Sequence, residues 1–220
     1  MKLTFGPKND SVPYMYRGNS TRIVPIILVL IVVAIVIAAL VSVGRAILGG
    51  STQTTQTNAG RDALLDTSLG HSVQMTVRGP IVANEQFHSF QITIDPSSRA
   101  MTTYQGYLDQ PINSKSYDNN AKAYEQFVYA LDKANLMDGD ELTGDKNDTR
   151  GICATGLVYE FSVMNADSTV KRLWTSTCKG SPGSLKASVA QVGDLFKAQI
   201  PDESSLVRGL DLTASTPLSF

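Results

Sequence analysis

The chain has two cysteines, two histidines and one dense run of acids, and its reactive chemistry rests on how these are spaced. Cys153 and Cys178 do not form a C-x-x-C motif, so a redox-active dithiol is not expected. Zinc needs four ligands at closed spacings. His71 and His88 sit in separate strand-like segments, so no metal and no cofactor are expected. The run Asp138–Arg150 holds Asp138, Asp140, Glu141, Asp145 and Asp148. A twelve-residue calcium loop needs glycine at its sixth position. Counting from Asp138 that position is Thr143, and from Asp145 it is Arg150. The run therefore reads as a solvated loop. Asn147-Asp148-Thr149 matches the N-glycosylation pattern, a short pattern that recurs by chance. No G-x-S-x-G, H-E-x-x-H, P-loop or G-x-G-x-x-G accompanies the histidines. No catalytic residue is assigned, and His88 reads as a surface histidine on a half-exposed strand.

The elements that would position these residues alternate in type. Val73, Met75 and Val77 recur at period two, as do Phe90, Ile92 and Ile94. Half-buried strands have this pattern. Asp95-Pro96-Ser97-Ser98 is a turn by composition, and Arg99–Tyr107 returns as the second arm of a hairpin. In Asn119–Met137 the period changes: Tyr124, Phe127, Val128 and Leu131 form the stripe of an amphipathic helix. Gly156–Met164 and Thr169–Cys178 make a second hairpin around Asn165-Ala166-Asp167-Ser168. Ser181-Pro182 fits a helix start, with Leu185, Val189, Val192, Phe196 and Ile200 as its stripe. The expected fold is α+β: an antiparallel sheet of two hairpins with two helices packed over one face. Tyr124, Phe127, Tyr159, Phe161 and Trp174 are expected in the core.

The second hairpin sets an expectation for the cysteines. An unbroken ladder with its turn centred on either side of Ala166 puts Tyr159 and Trp174 on one face. By the same parity Cys153 and Cys178 meet on that core face. In an oxidising compartment they should form a disulfide worth roughly 3–4 kcal/mol in the chain-entropy model.

The compartment follows from Ile23–Gly44, 22 residues without a charge. About 20 apolar residues span a bilayer core, so residues 23–44 read as an N-terminal transmembrane helix and the lipid bilayer as a partner. Residues 1–22 carry Lys2, Lys8, Arg17 and Arg22 against Asp10. The positive flank stays inside, which makes the chain a single-pass signal-anchored membrane protein with its C-terminal domain outside the cell. Residues 45–62 read as a Ser/Thr/Gln/Gly-rich stalk, 63–201 as the extracytoplasmic domain and 202–220 as a polar C-terminal tail. Ala34, Ala38 and Ser42 form a small-residue stripe that permits a dimer through the span. Net charge is −1 for the chain, and −4 once the net +3 of residues 1–22 is set aside. Nothing in that balance favours nucleic acid.

Basic tail, apolar anchor, Ser/Thr/Gln stalk and small domain together resemble the layout of bacterial signal-anchored envelope proteins. The order of elements across residues 73–200, with GLVYEFSV (Gly156–Val163) and SLKASVAQVGDLF (Ser184–Phe196), is similar to that of emfourin-type metalloprotease inhibitors. The expected function is a non-enzymatic domain that contacts an envelope or extracellular protein at the cell surface. The resemblance implies an alternative, a membrane-tethered inhibitor of an extracellular protease. Gly79–Phe87 or Asp109–Asp118 would then be the segment entering a cleft.

Overall fold

A computed structural model describes residues 58–210 and residue 212. The span expected at 23–44 and most of the stalk lie outside these residues. Among the described residues, no helix is long and apolar enough to cross a membrane.

The strands are β1 (His71–Arg78), β2 (His88–Ile94), β3 (Ser98–Gln105), β4 (Gln110–Asp118), β5 (Val158–Asn165) and β6 (Ser168–Ser176). They form one antiparallel sheet in the order β4-β3-β2-β1-β5-β6. The helices are α1 (Ala59–Leu65), α2 (Ala121–Lys133), α3 (Val189–Lys197) and α4 (Glu203–Val207). The architecture is thus α+β on an antiparallel sheet, with more pieces than two hairpins and two helices. β1 joins the hairpins by pairing with β2 on one side and β5 on the other. β4 is an added edge strand. Only Tyr117 in it is partly covered, so it has no apolar alternation to betray it.

One face of the sheet carries Val73, Met75, Val77, Phe90, Ile92, Ile94, Phe161, Val163 and Leu173, all buried. The α2 stripe Tyr124, Phe127, Val128 and Leu131 packs onto this core with Val192 and Phe196 of α3. Phe127 and Phe196 meet edge to face at 5.3 Å. Burial of these side chains drives the fold, at about 1.5–3 kcal/mol for each large apolar group. The other face presents Gln74, Thr76, Gln91 and Ser162, all half-buried, as an antiparallel sheet with one wet face does.

Three expected boundaries move. Asn58 caps α1 through its side chain, so a helix begins inside the segment read as stalk. The last long helix starts at Val189 with Ser188 as its cap, not at Ser181-Pro182. Ser181–Leu185 instead runs along β6: Ser184 Oγ accepts from the Trp174 N–H at 3.1 Å, and the Ser184 and Leu185 N–H groups donate to Trp174 O. Backbone groups on an exposed strand edge need partners, and here an adjacent segment supplies them. The start of the segment read as a polar tail folds back as α4, because Leu206 and Leu210 reach the core.

The face assignment in the second hairpin is also corrected. Asn165 pairs with Ser168 across a two-residue turn, a register that an unbroken ladder would carry to Tyr159 opposite Trp174. A bulge intervenes between Val163 and Met164, because Met164 pairs with Thr169 but Val163 pairs with Lys171. Val170 is the extra residue. One added residue turns the rest of the strand over. Leu173 therefore joins Phe161 on the helix side, and Trp174 lies opposite Glu160 on the other face.

Candidate functional site

Cys153 and Cys178 are joined, with their Cα atoms 5.4 Å apart. The pairing agrees with the expectation, but the face does not. Cys178 follows Trp174 and Ser176 onto the side away from the helices. Cys153 is buried there in the wall of a cleft of about 630 Å³.

The cleft opens at the Arg78 end of β1. Asn58 lies at the other end, where it donates to Met137 O and accepts from Lys171 Nζ. Lys171 is level with Val73 through Val163, so about 17 Å of strand separates the two places at ~3.3 Å per residue.

The ionic floor centres on Glu160, whose side chain is 11 % exposed. Its Oε1 accepts from Arg78 Nε at 3.3 Å and from Thr149 Oγ1 at 3.1 Å, and its Oε2 from Arg172 Nη1 at 2.9 Å. Arg78 also forks onto Asp109 at 3.1 and 3.4 Å. Burial works against the charge on Arg78, but Asp109 and Glu160 outweigh it and raise its pKa above the ordinary arginine value. Asp109 reaches β1 across β2 because it ends the β3–β4 turn in the left-handed region, φ 50°. Arg172 also donates to Asn147 O, so the network draws the 3₁₀ turn Gly144–Asn147 onto the sheet. At the rim Arg150 forks onto Asp148 and holds that carboxyl down at about 2.

The opposite wall is apolar. Phe87 and Tyr107 stack with centroids 4.2 Å apart. The Tyr107 hydroxyl donates to Val82 O at 2.7 Å and accepts from Val82 N–H at 3.1 Å. Ile81 N–H donates to Ala154 O, tying this wall to the disulfide loop. Gly79–Phe87 is thus fastened at several points, and Asp109–Asp118 is mostly the strand β4. The fully exposed element is the tip between them, Leu108, 94 % exposed.

The other sequence candidates lie elsewhere. His88 is half-buried, and its Nδ1 is buried without a hydrogen-bond partner among the described residues. His71 Nδ1 is 3.1 Å from Ser68 Oγ, and its Nε2 is 3.6 Å from Asp66. These are the residue types of a hydrolytic triad, but Asp66 and Ser68 are exposed on the segment that leads into β1 at His71, outside the cleft. Glu141 of the acidic run caps backbone and side chain: it accepts from Arg172 N–H and from Asn147 Nδ2. Among the described residues, no three His, Cys, Asp or Glu side chains converge at metal-binding distance. Sequence reasoning missed Arg78, Asp109, Glu160 and Arg172. They are isolated charges at distant positions, and no local pattern links them. No protein-family model matches the chain, and comparison with curated proteins yields no match.

Proposed function

We propose that the chain is a membrane-anchored, extracytoplasmic, non-enzymatic domain that mediates an interaction at the cell surface through the cleft beside Tyr107. The observation that carries this is the wall itself. Tyr107 and Ile81 stay 45 % and 48 % exposed although several hydrogen bonds fix their segment, and exposed apolar groups on a fixed wall suit contact with a partner. The disulfide fits an oxidising compartment, and the basic flank with the apolar run at 23–44 supplies the anchor and the orientation.

A photo-reactive benzoylphenylalanine in place of Leu108, in the full chain in intact cells, tests the interaction. An adduct with an extracytoplasmic macromolecule is expected; illumination that yields none counts against it. Peptide mapping under thiol-blocking conditions tests the compartment. A bridged Cys153–Cys178 peptide agrees with export, and two blocked thiols would sink it.

The inhibitor is the second reading. The projecting Leu108 tip favours it, since a fixed turn with an exposed apolar side chain suits entry into a protease cleft. Inhibition of a secreted metalloprotease that Leu108→Asp abolishes would decide for it.

A further inference from the structure

The fold holds Tyr107 rigid without covering it. One face of the ring rests on Phe87, the hydroxyl is pinned to Val82, and the backbone N–H donates to Asn84 Oδ1 at 3.1 Å, yet the residue stays 45 % exposed. Ordering an aromatic ring without burying it leaves a flat apolar platform whose conformational cost is already met before any ligand arrives. Beside the platform lie Arg78, Arg150 and Arg172 with Asp109, Asp148 and Glu160. Three cations face three anions, so these lining side chains carry no net charge. A guanidinium has five N–H donors. Arg78 directs three to Asp109 and Glu160, and Arg172 two to Glu160 and Asn147. Among the described residues both keep donors without a partner, on side chains about one-third exposed.

Building on the interaction function proposed above, we infer that this cleft binds a neutral oligosaccharide. A sugar ring offers an apolar C–H face to stack on Tyr107 and neighbouring hydroxyls to pair with planar carboxylate and guanidinium groups. Its lack of charge matches the balanced floor. The volume of about 630 Å³ lies within the ~300–1,000 Å³ of small-molecule sites. An extended peptide is the weaker occupant, because strand addition needs a free sheet edge and this floor is built of side chains on β1, β5 and β6.

The test is titration calorimetry on the full chain in phospholipid nanodiscs free of sugar detergents. Chitotetraose, cellotetraose and maltotetraose are the saccharide probes, and a neutral tetrapeptide is the comparison. At least one tetrasaccharide should bind in the ~millimolar range, and Tyr107→Ala should weaken it about tenfold. Tyr107→Phe, which keeps the ring on Phe87 but loses the hydroxyl bonds to Val82, should weaken binding less than Tyr107→Ala. Asp109→Asn should weaken binding, and Leu69→Ala, at the far end of β1, should not. Retention of the parent's Trp174 emission, from a ring 3 % exposed, shows that each variant is folded. No binding of any tetrasaccharide, or equal binding by Tyr107→Ala, overturns the saccharide site. Tetrapeptide binding that requires Tyr107 overturns it too, while the interaction function stands. Absence of every ligand together with no adduct at Leu108 overturns both.

Discussion

Glu160 and Arg172 lie on adjacent strands and share a 2.9 Å ion pair, with Arg78 approaching the same carboxylate from β1 on the other side. One acid thus joins three neighbouring strands on the face away from the helices. Glu160→Ala should take one partner from each of two partly buried guanidiniums, Arg78 keeping Asp109 and Arg172 keeping Asn147 O, and cost about 2 kcal/mol, less than a fully buried pair because both arginines still touch water. Denaturant midpoints of the variant and the parent check this. An unchanged midpoint would mean that the network adds nothing to stability.

The disulfide closes a loop with a separation of 25 residues. Cys153→Ser with Cys178→Ser should lower stability by roughly 3–4 kcal/mol in the chain-entropy model. Because Ile81 donates to Ala154 within that loop, the Ile81 amide should also lose hydrogen-exchange protection. Exchange measured with and without reductant reads both effects.

Gly183 packs against the only tryptophan, at φ 72°. A Cβ there would overlap Trp174 O and crowd its ring. Gly183→Ala combines overpacking with left-handed strain, each worth about 1–2 kcal/mol. Trp174 is 3 % exposed, so its fluorescence should shift to the red as the segment lifts. A blue-edge emission retained in Gly183→Ala would contradict the contact.

Acid should weaken the fold through particular carboxylates. Burial works to raise the Asp95 carboxyl, but the hydroxyls and N–H groups of Ser97 and Ser98 outweigh it and hold it below its usual value. Arg61 lowers Asp132 by hydrogen bonding and charge. A carboxyl depressed in the folded state contributes stability that is present above its unfolded pKa, ~3.9, and is lost as pH falls through the folded value. Stability should therefore drop below about pH 4, and Asp95→Asn should flatten that drop. Equal acid slopes for parent and variant would remove Asp95 as a contributor.

Ala166 sits at φ 49° in the β5–β6 turn, where an L side chain costs roughly 1 kcal/mol. Ala166→Gly should raise stability, by about 0.5 kcal/mol after the added freedom of the unfolded chain is subtracted. A lowered melting temperature would show that the turn is not strained.

Much of this protein was legible in its residue order. The period-two alternation of β1 and β2 and the stripe Tyr124-Phe127-Val128-Leu131 identify their elements, because burying one face imposes a period that needs no knowledge of the partner. The pairing of Cys153 with Cys178 was legible for a simpler reason, since two cysteines in one domain allow one bridge. The tertiary structure alone decided the rest. β4 is polar along almost its whole length and became a strand because β3 had an edge to pair. The single extra residue at Val170 turned Trp174 and Cys178 to the face away from the helices, and a bulge of one residue leaves no trace in hydrophobic period. The cleft depends on Arg78, Asp109, Glu160 and Arg172 meeting across three elements and a turn. A charge in a sequence carries no sign of its partner, because Coulomb attraction acts through space and only the assembled sheet brings these four together.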